Sequence, residues 1–433
     1  MSRSINNQPT INGTIAPGFE SVKKIFQHNM QTMAEENAQL CVYHRGKKVV
    51  DLWASNTGDT NFSADSLVNV FSSGKSLEAI AVAALVGHGL LKYEAKISDY
   101  WPDFAAHGKG QLSVAQLMRH EAGLANLDTS LDTADLLPAN LKQNCVGRII
   151  ENQTLNYGKY EQGSREYHAI TRGWIVNELV RRVDPAGRTI GEFLQEDWRK
   201  PLGADVVVGI QEEELPRVAE IKPLGFGFQF LESLKPKFLG RRIIHNIFQL
   251  VGRFFKIIPS LFKGTSIGAP PPLNGMKSLT FFNDLEFSMG ETSSANAKCS
   301  ARGLAKVAAV MAAGGTLDGH EYLSSTAWQA MHDHPVRADL GSLLTTSFTQ
   351  GGVALFTECN EHSKKIDREL NQGREGFYGW MGLGGSIFHW HPELDIGFAF
   401  VPTSLHALDF LNERGKVFQA EVTRCVESQS QTQ

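Results

Sequence analysis

Residues 67–91 read LVNVFSSGKSLEAIAVAALVGHGLL. The stretch opens with five apolar-rich residues (LVNVF) that suit a short buried strand. It continues from Ser76 as an Ala/Leu-rich segment that is apolar on nearly every side, the pattern of a helix deep inside a large protein. Where the one becomes the other stands Ser72-Ser73-Gly74-Lys75. On a helix, residues i and i+3 share a face, so the lysine can reach the serine oxygen. A lysine at a helix N-terminus meets the positive end of the dipole and, in an apolar interior, desolvation. Both disfavour the ammonium and favour a neutral base. Ser72 and Lys75 therefore form a candidate nucleophile and base that need no histidine. The bland alternative is a capping serine followed by a snorkelling lysine.

Working outward, Gly18 to about Asn37 predicts an amphipathic helix, and residues 40–55 a β-hairpin turning at Arg45-Gly46-Lys47. Helical patterns follow near 113–119, 141–152, 169–182 and 188–198, and a small-residue helix near 299–314. Residues 384–402 read as two strands around Pro392-Glu393. Strands, then many helices, then strands imply an α+β fold. An antiparallel sheet is assembled from both chain ends, with a mainly helical region between them. The expected catalytic unit is 18–433. Its sheet-containing part comprises 18–65 and 285–425, and 66–284 is mainly helical. Residues 1–17 are expected to be a flexible arm.

The chain has 433 residues, 42% hydrophobic and 20% charged, with a net charge of −4. This is ordinary globular composition and gives no case for nucleic acid. Five scattered cysteines without CxxC spacing argue against a disulfide framework and a zinc site. The N-terminus lacks an apolar signal-peptide core, and no apolar run reaches the length of a spanning helix. An intracellular, cytoplasmic protein is expected, with no cofactor or metal; the oligomeric state is not legible.

Two motifs are decoys. Gly74-Lys75-Ser76 resembles the end of a P-loop, but position 69 is Asn where glycine is required. Gly264-Thr265-Ser266-Ile267-Gly268 fits GxSxG, yet Pro259 precedes it and Pro270-Pro271-Pro272 follows, so the strand–turn–helix context is missing. His120 and His168 read as structural supports. His389 and His391 would share a strand face, with no third ligand to make a metal site. Trp53, Trp101 and Trp174 read as core.

Residues 233–283 contain no Asp or Glu, while Lys235, Lys237, Arg241, Arg242, Arg253, Lys256 and Lys263 are interleaved with Phe, Ile and Leu. Three readings of 233–263 stay open: a lid over the active site, a helix making peripheral membrane contact, or a surface insertion over the core.

Four ordered stretches carry a resemblance: 67–104; LSVAQLMRHEAGL (112–124); EYHAITRGWIVNELVRRV (166–183) with KPLGAD (200–205); and FYGWMGLGGSIFHWHPELDIGFAFVP (377–402). Together the chain resembles the serine β-lactamase and penicillin-binding-protein superfamily, especially its family VIII-like esterases and the eukaryotic β-lactamase-domain proteins. The resemblance implies a β-lactamase/transpeptidase-like fold. It implies Ser72 as nucleophile, Lys75 as base and Tyr167 as the second-motif tyrosine. It also implies an oxyanion hole from the N–H groups of Ser72 and Leu383, with Trp380 and Gly382 in the third motif. Two positions depart from the lactamase pattern. Ala169 stands where an asparagine would hold an acylamino group, and Trp380-Met381-Gly382 stands where Lys-Thr-Gly would hold a carboxylate. A small-molecule ester of an apolar acyl group is therefore the expected substrate. A β-lactamase or D-amino-acid peptidase-like amidase, or a non-catalytic scaffold of the same fold, are the alternatives.

Overall fold

In the computed structural model, residues 9–430 are described, apart from the side chains of 256, 257 and 259–261. A nine-stranded antiparallel sheet runs in the order 12–15, 47–55, 37–44, 396–402, 387–391, 378–381, 354–355, 344–348, 336–340. The chain ends meet at its centre: Ile396–Pro402 pairs with Asn37–His44, Ile396 opposite His44 and Pro402 opposite Ala38. Strand periodicity then sorts the side chains. Ile396, Phe398 and Phe400 enter the cluster shared with helices Glu20–Thr32 and Glu413–Ser430. Ala399 and Val401 enter the larger core on the opposite face, shared with helix Ala301–Ala312 and the serine-bearing helix. Gly397 lets helix and sheet touch, because a Cβ there would lie 2.5 Å from Ala309 N.

The mainly helical region lies between the two sheet-forming halves of the chain. It contains helices Gly74–Gly87, Cys145–Asn152 and Thr171–Val183. It is not purely helical: Val206–Val207, Lys298–Cys299, Leu67–Asn69 and Val218–Ala219 form a second, four-stranded sheet. The hairpin stands where the sequence predicts it, and the apolar helix expected over Ser76–Leu91 runs from Gly74 to Gly87. The helix expected over 141–152 is split at Asn144, which adopts φ +64°.

Three expectations need correction. The arm assigned to residues 1–17 is ordered in its second half: Asn12–Ile15 pairs along Val50–Trp53 as an edge strand, and residues 1–8 lie outside the described residues. The helix expected to reach Asn37 ends at Thr32, because Asn37 begins a central strand. The boundary expected at 233 cuts through a helix at the start of the basic–apolar region. Its helices are Phe226–Leu234 and Ile247–Lys263. The five cysteines are unpaired.

Candidate active site

Ser72 lies on the 3-10 turn Phe71–Ser73, immediately before helix Gly74–Gly87. Phe71 bends the chain there with φ +47°, a left-handed conformation uncommon for a bulky residue. Its ring is held against Phe282, with centroids 4.7 Å apart.

Lys75 is buried one turn on. Its Nζ donates to the carbonyls of Ala169 (2.6 Å) and Ser294 (3.1 Å) and lies 3.3 Å from Ser72 Oγ. Burial pulls its pKa well below the ordinary 10.5; Arg172 adds to this and Glu78 opposes it. A neutral amine has two N–H groups and one lone pair. The two carbonyls take the N–H groups, which leaves the lone pair for the Ser72 hydroxyl proton. Ala169 thus contributes through its backbone, which sequence reading did not anticipate.

Tyr167 completes the cluster. Its phenol oxygen accepts from Trp380 Nε1 at 2.8 Å, and the residue lines the same cleft as Ser72. Burial pushes its pKa up to about 12, so the phenol keeps its proton at neutral pH. Lys75 Nζ stands 4.9 Å from the ring centroid.

The third-motif strand Tyr378–Met381 packs against the serine turn. A Cβ at Gly382 would lie 2.2 Å from both Val70 O and Ser386 Oγ, so only glycine allows this approach. Ser386 Oγ donates to Val70 O at 2.6 Å and fastens the strand end to the segment leading into Ser72. Leu383 N–H has no acceptor among the described residues. Arg414, from the C-terminal helix, anchors the same loop by donating to Gly384 O at 2.7 Å.

A cleft of about 380 Å³ opens over Ser72. Tyr167, Ala169, Trp380, Met381, Gly382 and Leu383 line it, with Leu340, Leu343, Leu344, Leu370, Phe410 and Leu411 forming an apolar wall. Among the described residues the one charged side chain lining it is Glu166, whose Oε1 accepts from Thr265 N at 2.7 Å.

The structure therefore brings Ser72, Lys75, Tyr167, Ala169, Trp380, Gly382 and Leu383 together. It does not build a nucleophile at Ser266, which sits at the rim with only Asn126 Nδ2 on its hydroxyl, at 3.4 Å. His168 is a brace: its ring nitrogens contact Glu166 O (2.7 Å) and Leu124 N (3.2 Å), and burial pulls its pKa down to about 4. His120 braces too, accepting from His168 N at 3.1 Å. His389 Nδ1 meets Gln419 Oε1 at 3.2 Å, and His391 Nδ1 accepts from Leu394 N at the same distance. Among the described residues, His245, Asp409 and Glu413 have ligand-type atoms within 4.8 Å of one another, but Arg253 already pairs with Glu413.

Sequence reading missed the support beneath Lys75. Glu78, fully buried, accepts from Arg172 Nε (2.9 Å), Ser293 Oγ (3.0 Å) and Ser294 Oγ (2.6 Å). Arg172 in turn donates to Lys75 O at 2.9 Å. The signal was Glu78 itself, an acid inside an otherwise apolar helix, which needs a buried partner.

Known proteins resemble this chain along most of its length. Esterase/beta-lactamase LipL of Mycobacterium tuberculosis (strain ATCC 25618 / H37Rv) is 29% identical over 402 residues, covering 91% of this chain and 83% of LipL. A penicillin-binding-protein homologue from Caulobacter crescentus superposes with a TM-score of 0.73 at 25% identity, over 96% of this chain and all of that one. A family VIII carboxylesterase gives 0.74 at 25% identity with the same coverage. The Beta-lactamase family model matches residues 22–420, and with the fold already traced this establishes that the chain belongs to the beta-lactamase family of hydrolases.

Proposed function

We propose that the protein is a serine esterase that cleaves esters of apolar acyl groups through an acyl-enzyme on Ser72. One observation carries the reading. Lys75 Nζ donates to two backbone carbonyls and lies 3.3 Å from the Oγ of Ser72, which lines an apolar cleft.

In this mechanism the Ser72 hydroxyl gives its proton to Lys75 as Oγ attacks the ester carbonyl. The N–H groups of Ser72 and Leu383 receive the oxyanion. Tyr167, still protonated at neutral pH, gives its proton to the departing alkoxide and recovers one from Lys75. Water then enters, loses a proton along the same path in reverse and releases the acid.

The preference for esters over β-lactams follows from the wall of the cleft. Among the described residues that line it there is no lysine, arginine or histidine, and Glu166 brings a carboxyl. A penicillin's carboxylate would lose a charge-assisted contact worth roughly 1.5–3 kcal/mol. LipL's own name joins esterase and β-lactamase, so the choice needs a direct comparison. On one preparation, kcat/KM for p-nitrophenyl butyrate is expected to exceed that for nitrocefin and benzylpenicillin, and Ser72→Ala to abolish both activities. A higher value for the β-lactams would select the lactamase reading. Ester turnover surviving in folded Ser72→Ala would remove Ser72 from the mechanism.

A further inference from the structure

Two helices that pack together present large apolar side chains to solvent, and Arg253 of the second reaches the cleft residue Phe410. In Phe226–Leu234 the buried residues are the polar ones, Gln229, Glu232 and Ser233. Phe226, Phe230, Leu231 and Leu234 face outward. Glu232 is held inside by Lys235 Nζ and by Arg242 N (2.8 Å), and Gln229 Nε2 donates to Leu224 O at 2.8 Å. Helix Ile247–Lys263 half-buries Ile247, Leu250 and Ile258 together with Arg253, and still leaves large apolar side chains in the open. Arg253 turns inward to pair with Glu369 and Glu413, its guanidinium 5.0 Å from the Phe410 ring centroid. Phe248, Val251, Phe254, Phe255 and Phe262 are exposed, and Phe238 and Leu239 in the connection add to them. The two helices pack against each other, so these side chains belong to one region.

A cluster of exposed large apolar side chains of this kind marks a contact with something else. Its chemistry selects the partner. From 233 to 283 the chain has no acidic residue. Lys237 and Lys263 make no ion pair among the described residues. A second copy docked face to face would bring these cations together with no carboxylate between them. An anionic phospholipid surface satisfies both features, with aromatic side chains at the acyl boundary and cations at the phosphates. No described helix is long and apolar enough to cross a membrane, so the helices would lie in its plane.

We infer that residues 226–267 form a peripheral docking surface for anionic phospholipid membranes. The rim residue Ser266 belongs to this region, and Arg253 lies over the cleft residue Phe410. Docking therefore sets the cleft mouth beside the lipid, which suits an apolar ester if the proposed chemistry holds. The docking itself rests only on the surface.

The test is flotation of the full chain with phosphatidylcholine vesicles, with and without phosphatidylserine, and needs no substrate. The intact protein is expected to float with the phosphatidylserine vesicles and to be released by high salt, which shortens screening from about 8 Å to about 3 Å. Phe248→Ser with Phe255→Ser should lower the bound fraction at least about tenfold. Phe226→Ser with Phe238→Ser, at side chains 77% and 85% exposed, gives an independent pair on the other helix and its connection. Lys237→Glu with Lys263→Glu should erase the preference for phosphatidylserine. Thermal melting identifies any variant that fails to fold. Intact protein that stays unbound with phosphatidylserine vesicles would overturn the inference. So would a solution dimer that the phenylalanine variants split, which would make this face a self-association surface.

Discussion

Glu78 Oε2 accepts a hydrogen bond from Arg172 Nε at 2.9 Å, and both side chains are completely shielded from solvent. The pair ties the helix carrying Lys75, which follows the Ser72 turn, to helix Thr171–Val183, which follows Tyr167 in the chain. It also fixes Ser294, whose carbonyl takes one Lys75 hydrogen.

Breaking this pair from one side leaves a buried charge alone. Arg172→Met or Glu78→Gln should each destabilise the protein by about 3–5 kcal/mol, and the double variant by much less than the sum. Urea unfolding of the three variants measures this. Additive losses would mean that the two groups act independently.

The depressed pKa of Lys75 fixes the sign of two pH dependences. In the proposed mechanism activity needs the neutral amine, so kcat/KM should rise as pH increases through the lysine's folded pKa. The folded pKa lies below the unfolded value of 10.5, so the unfolded chain holds the extra proton between the two. Stability contributed by this group therefore increases with pH across that window. The acid limb should disappear from the residual activity of Lys75→Ala. That variant and Tyr167→Phe should each be slower by roughly 100-fold, with losses far from additive because both serve one proton path. An unchanged acid limb in Lys75→Ala would assign it to another group.

Much of this was legible in the sequence, and the failures have physical causes. A charge-poor helix that begins with a serine and carries a lysine one turn later announces a site, because a buried lysine needs a reason. The support beneath it was hidden: Arg172 lies 94 residues from Glu78, and nothing local tells a partner at that separation from an ordinary surface cation. Asn12–Ile15 went unread because an edge strand with Asn12, Gly13 and Thr14 exposed shows no apolar alternation. Helix Glu413–Ser430 was missed within a β-rich stretch, where its buried residues include Arg414 and Gln419. The hydrophobic content of 226–263 was visible, but which side faced outward was not. Composition cannot say that Glu232 and Arg253 turn inward.

Gly382 offers a test of how the third-motif strand is positioned. Gly382→Ala puts a methyl group 2.2 Å from Val70 O, so the strand end must retreat from Ser72. Ester hydrolysis should fall by two orders of magnitude or roughly that, since small misplacements at a reacting centre cost about 100-fold. Substitution at exposed Gly58, where an added Cβ meets nothing within 4 Å, controls for glycine replacement as such, although its φ of +77° carries its own strain. Full activity in Gly382→Ala would show that the close approach has no catalytic consequence.

The most direct measurement is covalent. A fluorophosphonate probe reacts with an activated serine, and mass spectrometry of the digested adduct locates it. The arrangement of Lys75 and Tyr167 around Ser72 predicts a single adduct on Ser72, absent from Ser72→Ala. An adduct on Ser266, or no labelling of folded protein that still hydrolyses esters, would contradict it.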